Sequence, residues 1–152
     1  MEARQIDFTN IYIERCDKET EELLSEEGQA FLQNRLDYLH MNKHEFVYVE
    51  ANLFHELGIE GLSLEVDDVF GTYNVMLGLK LQKKLEAPLK EFLNSELHSD
   101  EIKYGLIFDA NEGLWNVNFT LNYVSGFREE MSFQDTFSLI YSFLFKLVEK
   151  VK

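Results

Sequence analysis

Apolar and polar residues alternate along several stretches of the chain. Over residues 114–123, Trp115, Val117, Phe119, Leu121 and Tyr123 fall on one side and Asn116, Asn118, Thr120 and Asn122 on the other. That period of two predicts a half-buried antiparallel strand. Residues 73–82 repeat it, with Tyr73, Val75, Leu77, Leu79 and Leu81 opposed to Asn74, Met76, Gly78, Lys80 and Gln82. A shorter run sets Leu62, Leu64 and Val66 against Ser63 and Glu65. Residues 45–51 are dense in β-branched and aromatic side chains, which fit a pleated surface, and predict another strand. A fifth begins at Lys103 and ends in Asp109-Ala110-Asn111-Glu112-Gly113, whose residues suit a hairpin turn.

Helical spacing takes over elsewhere. Ser132 with Asp135 three residues on is an acidic variant of the capping box. Phe133, Phe137, Ile140, Leu144, Leu147, Val148 and Val151 then recur at intervals of three and four. Leu139, Phe143 and Phe145 widen that stripe, which predicts burial on more than one side. Residues 83–97 carry Leu85, Leu89, Phe92 and Leu93 at helical spacing. Pro88 would kink such a helix or mark its first turn, and the second placement, from Ala87, is preferred. Residues 17–41 open on an acidic run and continue through Leu24, Phe31, Leu32, Leu36 and Leu39, predicting a helix. Gly28 costs ~1 kcal/mol against Ala in a helix interior, so the acidic part reads as a separate short helix. Residues 6–15 are ambiguous between a loose arm and a short strand with Ile11 and Ile13 on one face. Gly58 and Gly61 bracket a loop, and Asp67, Asp68 and Gly71 mark a turn.

The predicted order is α-β-β-β-α-β-β-α. Three helices can bury their stripes on the apolar face of about five antiparallel strands, which gives a two-layer α+β fold. No repeat, low-complexity tract or linker divides the chain, so its 152 residues read as a single domain.

Charge narrows the partners. Fourteen Lys and Arg stand against 28 Asp and Glu, a formal charge of −14. Such a field opposes nucleic acid and anionic membrane, and fits a basic protein partner. The single cysteine, Cys16, cannot form an internal disulfide, which suits the cytoplasm. No leader-like start and no apolar run approaching the ~20 residues of a membrane span are seen. The expectation is a soluble cytoplasmic protein.

In element order, length and acidity the chain resembles the effector-binding class of bacterial type III secretion chaperones. It is similar also to the putative sensory-transduction regulators thought to share their fold. The likeness is closest over residues 105–152: strand, Asp/Asn/Gly turn, strand, short acidic connection and long amphipathic helix. The resemblance implies a homodimer that holds an extended segment of a partner protein without catalysis.

Candidate chemistry is sparse. His40 and His44 at i, i+4 would share a helix face as a metal pair, but no third ligand is fixed by spacing. Glu45, Glu50 and His55 are merely available. His55-Glu56 starts like a zincin helix, yet Ile59 stands where the second His belongs. Asp109-x-Asn111-x-Gly113 imitates a calcium loop with Gly one place early and Thr120 in place of the bidentate Glu. Cys16 lies between Glu14 and Asp17, which raise a thiol pKa and argue against a nucleophile. Asp67-Asp68 and Glu129-Glu130 are adjacent pairs with no acid–base geometry. No phosphate loop or nucleophile elbow is present. No metal, cofactor or catalytic residue is therefore assigned.

What remains is an uncharged polar sheet face. Asn74, Met76, Asn116, Asn118, Thr120 and Asn122 form the candidate binding surface, with Ser63 and Gln82 beside it. The expected function is non-catalytic protein binding, chaperone- or adaptor-like, by a homodimer. The alternatives are an acidic immunity or inhibitor protein for a basic toxin, and a small enzyme or ligand binder using His40, His44 and His55.

Overall fold

The structure, a computed structural model, describes residues 6–8, 10–98 and 104–152. Seven strands form one antiparallel sheet: β1 (Tyr12–Asp17), β2 (Leu23–Glu27), β3 (Glu45–Glu50), β4 (Ile59–Val66), β5 (Tyr73–Leu79), β6 (Tyr104–Asp109) and β7 (Leu114–Thr120). Their spatial order is β2-β1-β3-β4-β5-β7-β6. Four helices accompany them: α1 (Tyr38–Met41), α2 (Asn52–Glu56), α3 (Glu86–Glu96) and α4 (Phe133–Val151). The fold is α+β with an antiparallel sheet, as expected, with seven strands and four helices in place of five and three.

The core lies between the helices and one sheet face. Val47 and Val49 of β3, Leu62, Leu64 and Val66 of β4, Tyr73, Val75 and Leu79 of β5, and Trp115, Val117 and Phe119 of β7 are all buried there. Strand pairing aligns them in rows such as Val47–Leu64–Val75–Phe119. α4 supplies the opposing surface. Ser132 Oγ accepts from the Asp135 amide at 3.1 Å, so the predicted cap closes one of the orphan donors at the helix start. Phe143 packs in tilted contact with Phe119 and Phe92 at centroid distances of 4.9 and 5.4 Å, tying α4 to both β7 and α3. Leu139 and Phe143 are buried as the wide stripe requires, while Phe145 stays partly exposed. Pro88 falls in the first turn of α3, where its missing N–H costs no helical bond.

The predicted helix over residues 17–41 is not formed. In its place β1 and β2 make a hairpin, residues 29–33 a 3-10 turn and residues 38–41 the single turn of α1. The acidic run is the hairpin turn. Asp17 Oδ1 accepts from the Glu19 and Thr20 amides at 2.9 and 3.0 Å, and Glu21 adopts φ 62°. An aspartate that satisfies backbone donors two and three residues on competes directly with helix formation. Of residues 6–15, the part from Tyr12 onward is the strand β1, which places Ile13 fully inside, while Ile11 is buried ahead of it without being in a strand. The expected loop between Gly58 and Gly61 is also revised. β4 begins at Ile59, and Gly61 sits within it at a register shift between Glu60 and Leu62. Lys103 lies outside the described residues.

Arg15 organises the β1 margin. Its guanidinium donates to Glu27 at 2.8 Å, to Glu45 at 3.0 Å and to the Tyr38 hydroxyl at 2.9 Å. Tyr38 in turn donates to Glu45 at 2.9 Å. Glu45 is 5% exposed, so this cluster supplies the charge partner and hydrogen bonds that a buried carboxylate needs.

Candidate functional site

Among the described residues no helix covers the sheet's second face, and pairing lines up its side chains in register. One row runs Glu26–Glu14–Tyr48–Ser63–Met76–Asn118–Gly105 across all seven strands. Flanking rows add Glu65–Asn74–Thr120 on one side and Glu60–Gly78–Asn116–Ile107 on the other. Over the central row and the Glu60–Gly78–Asn116 row lies an open groove of about 630 Å³, floored by Ser63, Met76 and Gly78 and bounded by Tyr48, Glu50, His55, Glu60, Asn116 and Asn118.

Two glycines shape it. Gly61 has φ 61°, and a Cβ there would come within 2.9 Å of the Tyr48 ring and hydroxyl, so the phenol lies flat across the β4 backbone. Gly105 plays the same part for Asn118, whose amide would stand 2.7 Å from an added Cβ. A tyrosine and an asparagine thereby lie along the sheet and leave the groove open above Met76.

The β1–β3 end is acidic and its phenols are hydrogen-bond donors. Tyr48 Oη donates to Glu50 at 2.7 Å, and Tyr12 Oη donates to Glu14. Burial and the Glu50 carboxylate push the Tyr48 hydroxyl well above the ordinary tyrosine value. The hydrogen bond to Glu14 raises Tyr12 to about 12. Cys16 donates to Glu14 at 3.7 Å, and burial together with that carboxylate raises its thiol. Phenols and thiol alike stay protonated at neutral pH and suit neither nucleophilic nor general-base work. The carboxylates are acceptors. His55 Nε2 approaches Glu50 at 3.6 Å and Lys80 Nζ approaches Glu60 at 2.6 Å, which leaves Glu14 and Glu26 as further acidic groups on the same face. Such an arrangement can accept amide donors and cationic side chains.

Of the sequence-predicted surface, Met76, Asn116 and Asn118 line the groove, and Asn74 and Thr120 pair beside it. Asn122 does not belong. β7 ends at Thr120, residues 121–123 turn into a 3-10 helix, and Asn122 Oδ1 accepts from the Tyr73 amide at 2.8 Å. Its amide is a structural clamp on β5. Gln82 likewise leaves the strand, and its carbonyl accepts from Trp115 Nε1 at 3.2 Å. Ser63 is in place between Tyr48 and Met76. The sequence reading missed Tyr48, Glu50 and Glu60, although Val47 and Val49 alternating with Phe46, Tyr48 and Glu50 already carried the signal.

The histidines are not brought together. His40 packs edge-on against Tyr73 at 5.0 Å, His44 is exposed beside Glu45, and His55 sits at the groove. Among the described residues no three His, Cys, Asp or Glu side chains are arranged to hold a metal. Asp109 accepts from the Asn111 and Glu112 amides at 2.9 and 3.2 Å, the bonding of a hairpin turn. No described helix is long and apolar enough to cross a membrane. No family model, curated protein or solved structure matches the chain.

Proposed function

We propose that this chain is a non-catalytic protein-binding domain, chaperone- or adaptor-like, working as a homodimer in the cytoplasm. The observation that supports it is the uncovered row Tyr48–Ser63–Met76–Asn118 with its groove of about 630 Å³. An open sheet face with one thioether, two amide side chains and a protonated phenol offers apolar contact and hydrogen bonding together, which suits an extended segment of a partner. The carboxylates Glu14, Glu26, Glu50 and Glu60 on that face favour a basic segment over an acidic one.

The test is paired capture from cells with the wild-type chain and with the double substitution Met76→Lys, Asn118→Lys. Proteins retained by the first and lost by the second, at unchanged melting temperature, support the reading. An identical set on both overturns it. A second reading, an acidic inhibitor of a basic toxin, is favoured by the net charge of −14. Its association rate falls steeply as salt rises, whereas a segment held chiefly by Met76 and Tyr48 responds little.

A further inference from the structure

The last strand of the sheet has an unpaired outer edge, and its sequence is unlike that of the other margin. β6 reads Tyr-Gly-Leu-Ile-Phe-Asp, with one charge, no proline, and Ile107 69% exposed. Among the described residues no strand pairs with β6 on that side. An apolar edge of this kind is a template for another strand. We infer that β6 pairs antiparallel with β6 of a second copy of this chain, across a two-fold axis at Leu106, joining two sheets into one of fourteen strands.

Register and charge identify the occupant. Residues directly opposite in an antiparallel pair share a face, so the allowed registers keep Tyr104, Leu106 and Phe108 on one side. With the axis at Leu106, Tyr104 meets the other copy's Phe108, Leu106 meets its own equivalent, and Ile107 meets Gly105. Each exposed isoleucine therefore falls opposite a position without a side chain. No like charges stand face to face within residues 104–108. In a chain of charge −14 that is a condition few margins meet, and Lys83, 6.0 Å above the Phe108 ring, further lowers the local negative charge.

The axis stands normal to the sheet, so both helix layers lie on one side and both open faces on the other. The two Asn118 positions are then three strand spacings apart and two residues out of step along the strands, about 16 Å in all. This arrangement rests on the dimer in the reading above and adds its interface: one continuous binding surface presented twice. Five paired residues from each copy form a small interface, so association is expected at micromolar concentration and above.

Two measurements test it. In a Cys16→Ala background, Leu106→Cys should oxidise to a covalent dimer. Ile107→Cys should not, because the two 107 positions lie roughly 8 Å apart in this register, beyond disulfide reach. Sedimentation equilibrium of the otherwise unaltered chain should show a dimer that Ile107→Glu weakens at least tenfold. Ile107 is exposed, so that change leaves the fold intact. A wild-type monomer up to near-millimolar concentration overturns the inference, as does a dimer indifferent to Ile107→Glu, or crosslinking at 107 with none at 106. Such failure leaves the partner reading standing, because capture through Met76 and Asn118 is read separately.

Discussion

At one margin of the sheet, β2 carries Leu23 and Leu24 exposed, then Glu26 and Glu27, and is preceded by Glu19, Glu21 and Glu22. At the other, β6 carries Asp109 alone. The first is held by charge: Arg15 bridges Glu27 and buried Glu45, and the β1–β2 ladder is broken by a shift between Arg15 and Cys16. The second is held by apolar contact, with Phe108 against Trp115 at 5.2 Å and no break in its ladder with β7. Glutamates and an irregular ladder discourage edge-to-edge pairing, whereas a regular edge with a single charge at its end invites it. A single sheet thus has one guarded margin and one receptive one.

The largest way to break this contrast is Arg15→Met. It leaves Glu45 buried without its cation and should cost about 3 kcal/mol, read from chemical denaturation. A loss under about 1 kcal/mol would mean that the charge cluster does not hold the β2 margin. Phe108→Ala, on the opposite margin, removes a partly buried ring and should cost about 2 kcal/mol. It should also weaken self-association, which Arg15→Met should leave alone.

Acid separates the margins without mutation. Arg15 holds the Glu27 carboxyl below the ordinary glutamate value of 4.5. The stabilisation is therefore fully present above that ordinary value and is lost as pH falls through the lowered one. Hydrogen-exchange protection in β2 should decline in that window before protection in β6 does. Equal decline at both margins would contradict the assignment. The smallest effect is expected at Lys80→Ala. Its partner Glu60 and Lys80 itself are both exposed, so stability should move by less than about 0.5 kcal/mol.

Much of the molecule was legible because its burial pattern is local. The alternation in β5 and β7, the Ser132 cap and the stripe of α4 each depend on residues within a few positions. The open-face residues Met76, Asn116 and Asn118 followed from that same alternation. The first quarter was misread because leucines spaced by three and four can be buried by an irregular chain as well as by a helix. Local preference there is weak beside seven-strand pairing. Arg15 finds its partners 12, 23 and 30 residues away, in Glu27, Tyr38 and Glu45. Asn122 continued the alternation on paper, yet the turn after Thr120 sends its amide to the Tyr73 backbone, 49 positions distant. The acidic end of the groove likewise exists only once β1, β3 and β4 lie side by side. The sequence by itself determined which segments alternate, which one forms the long helix and where that helix begins. Only the tertiary structure decided which strands lie at the margins and which polar groups share a face, because hydrogen-bond partners and buried charges are satisfied across the sheet rather than along the chain.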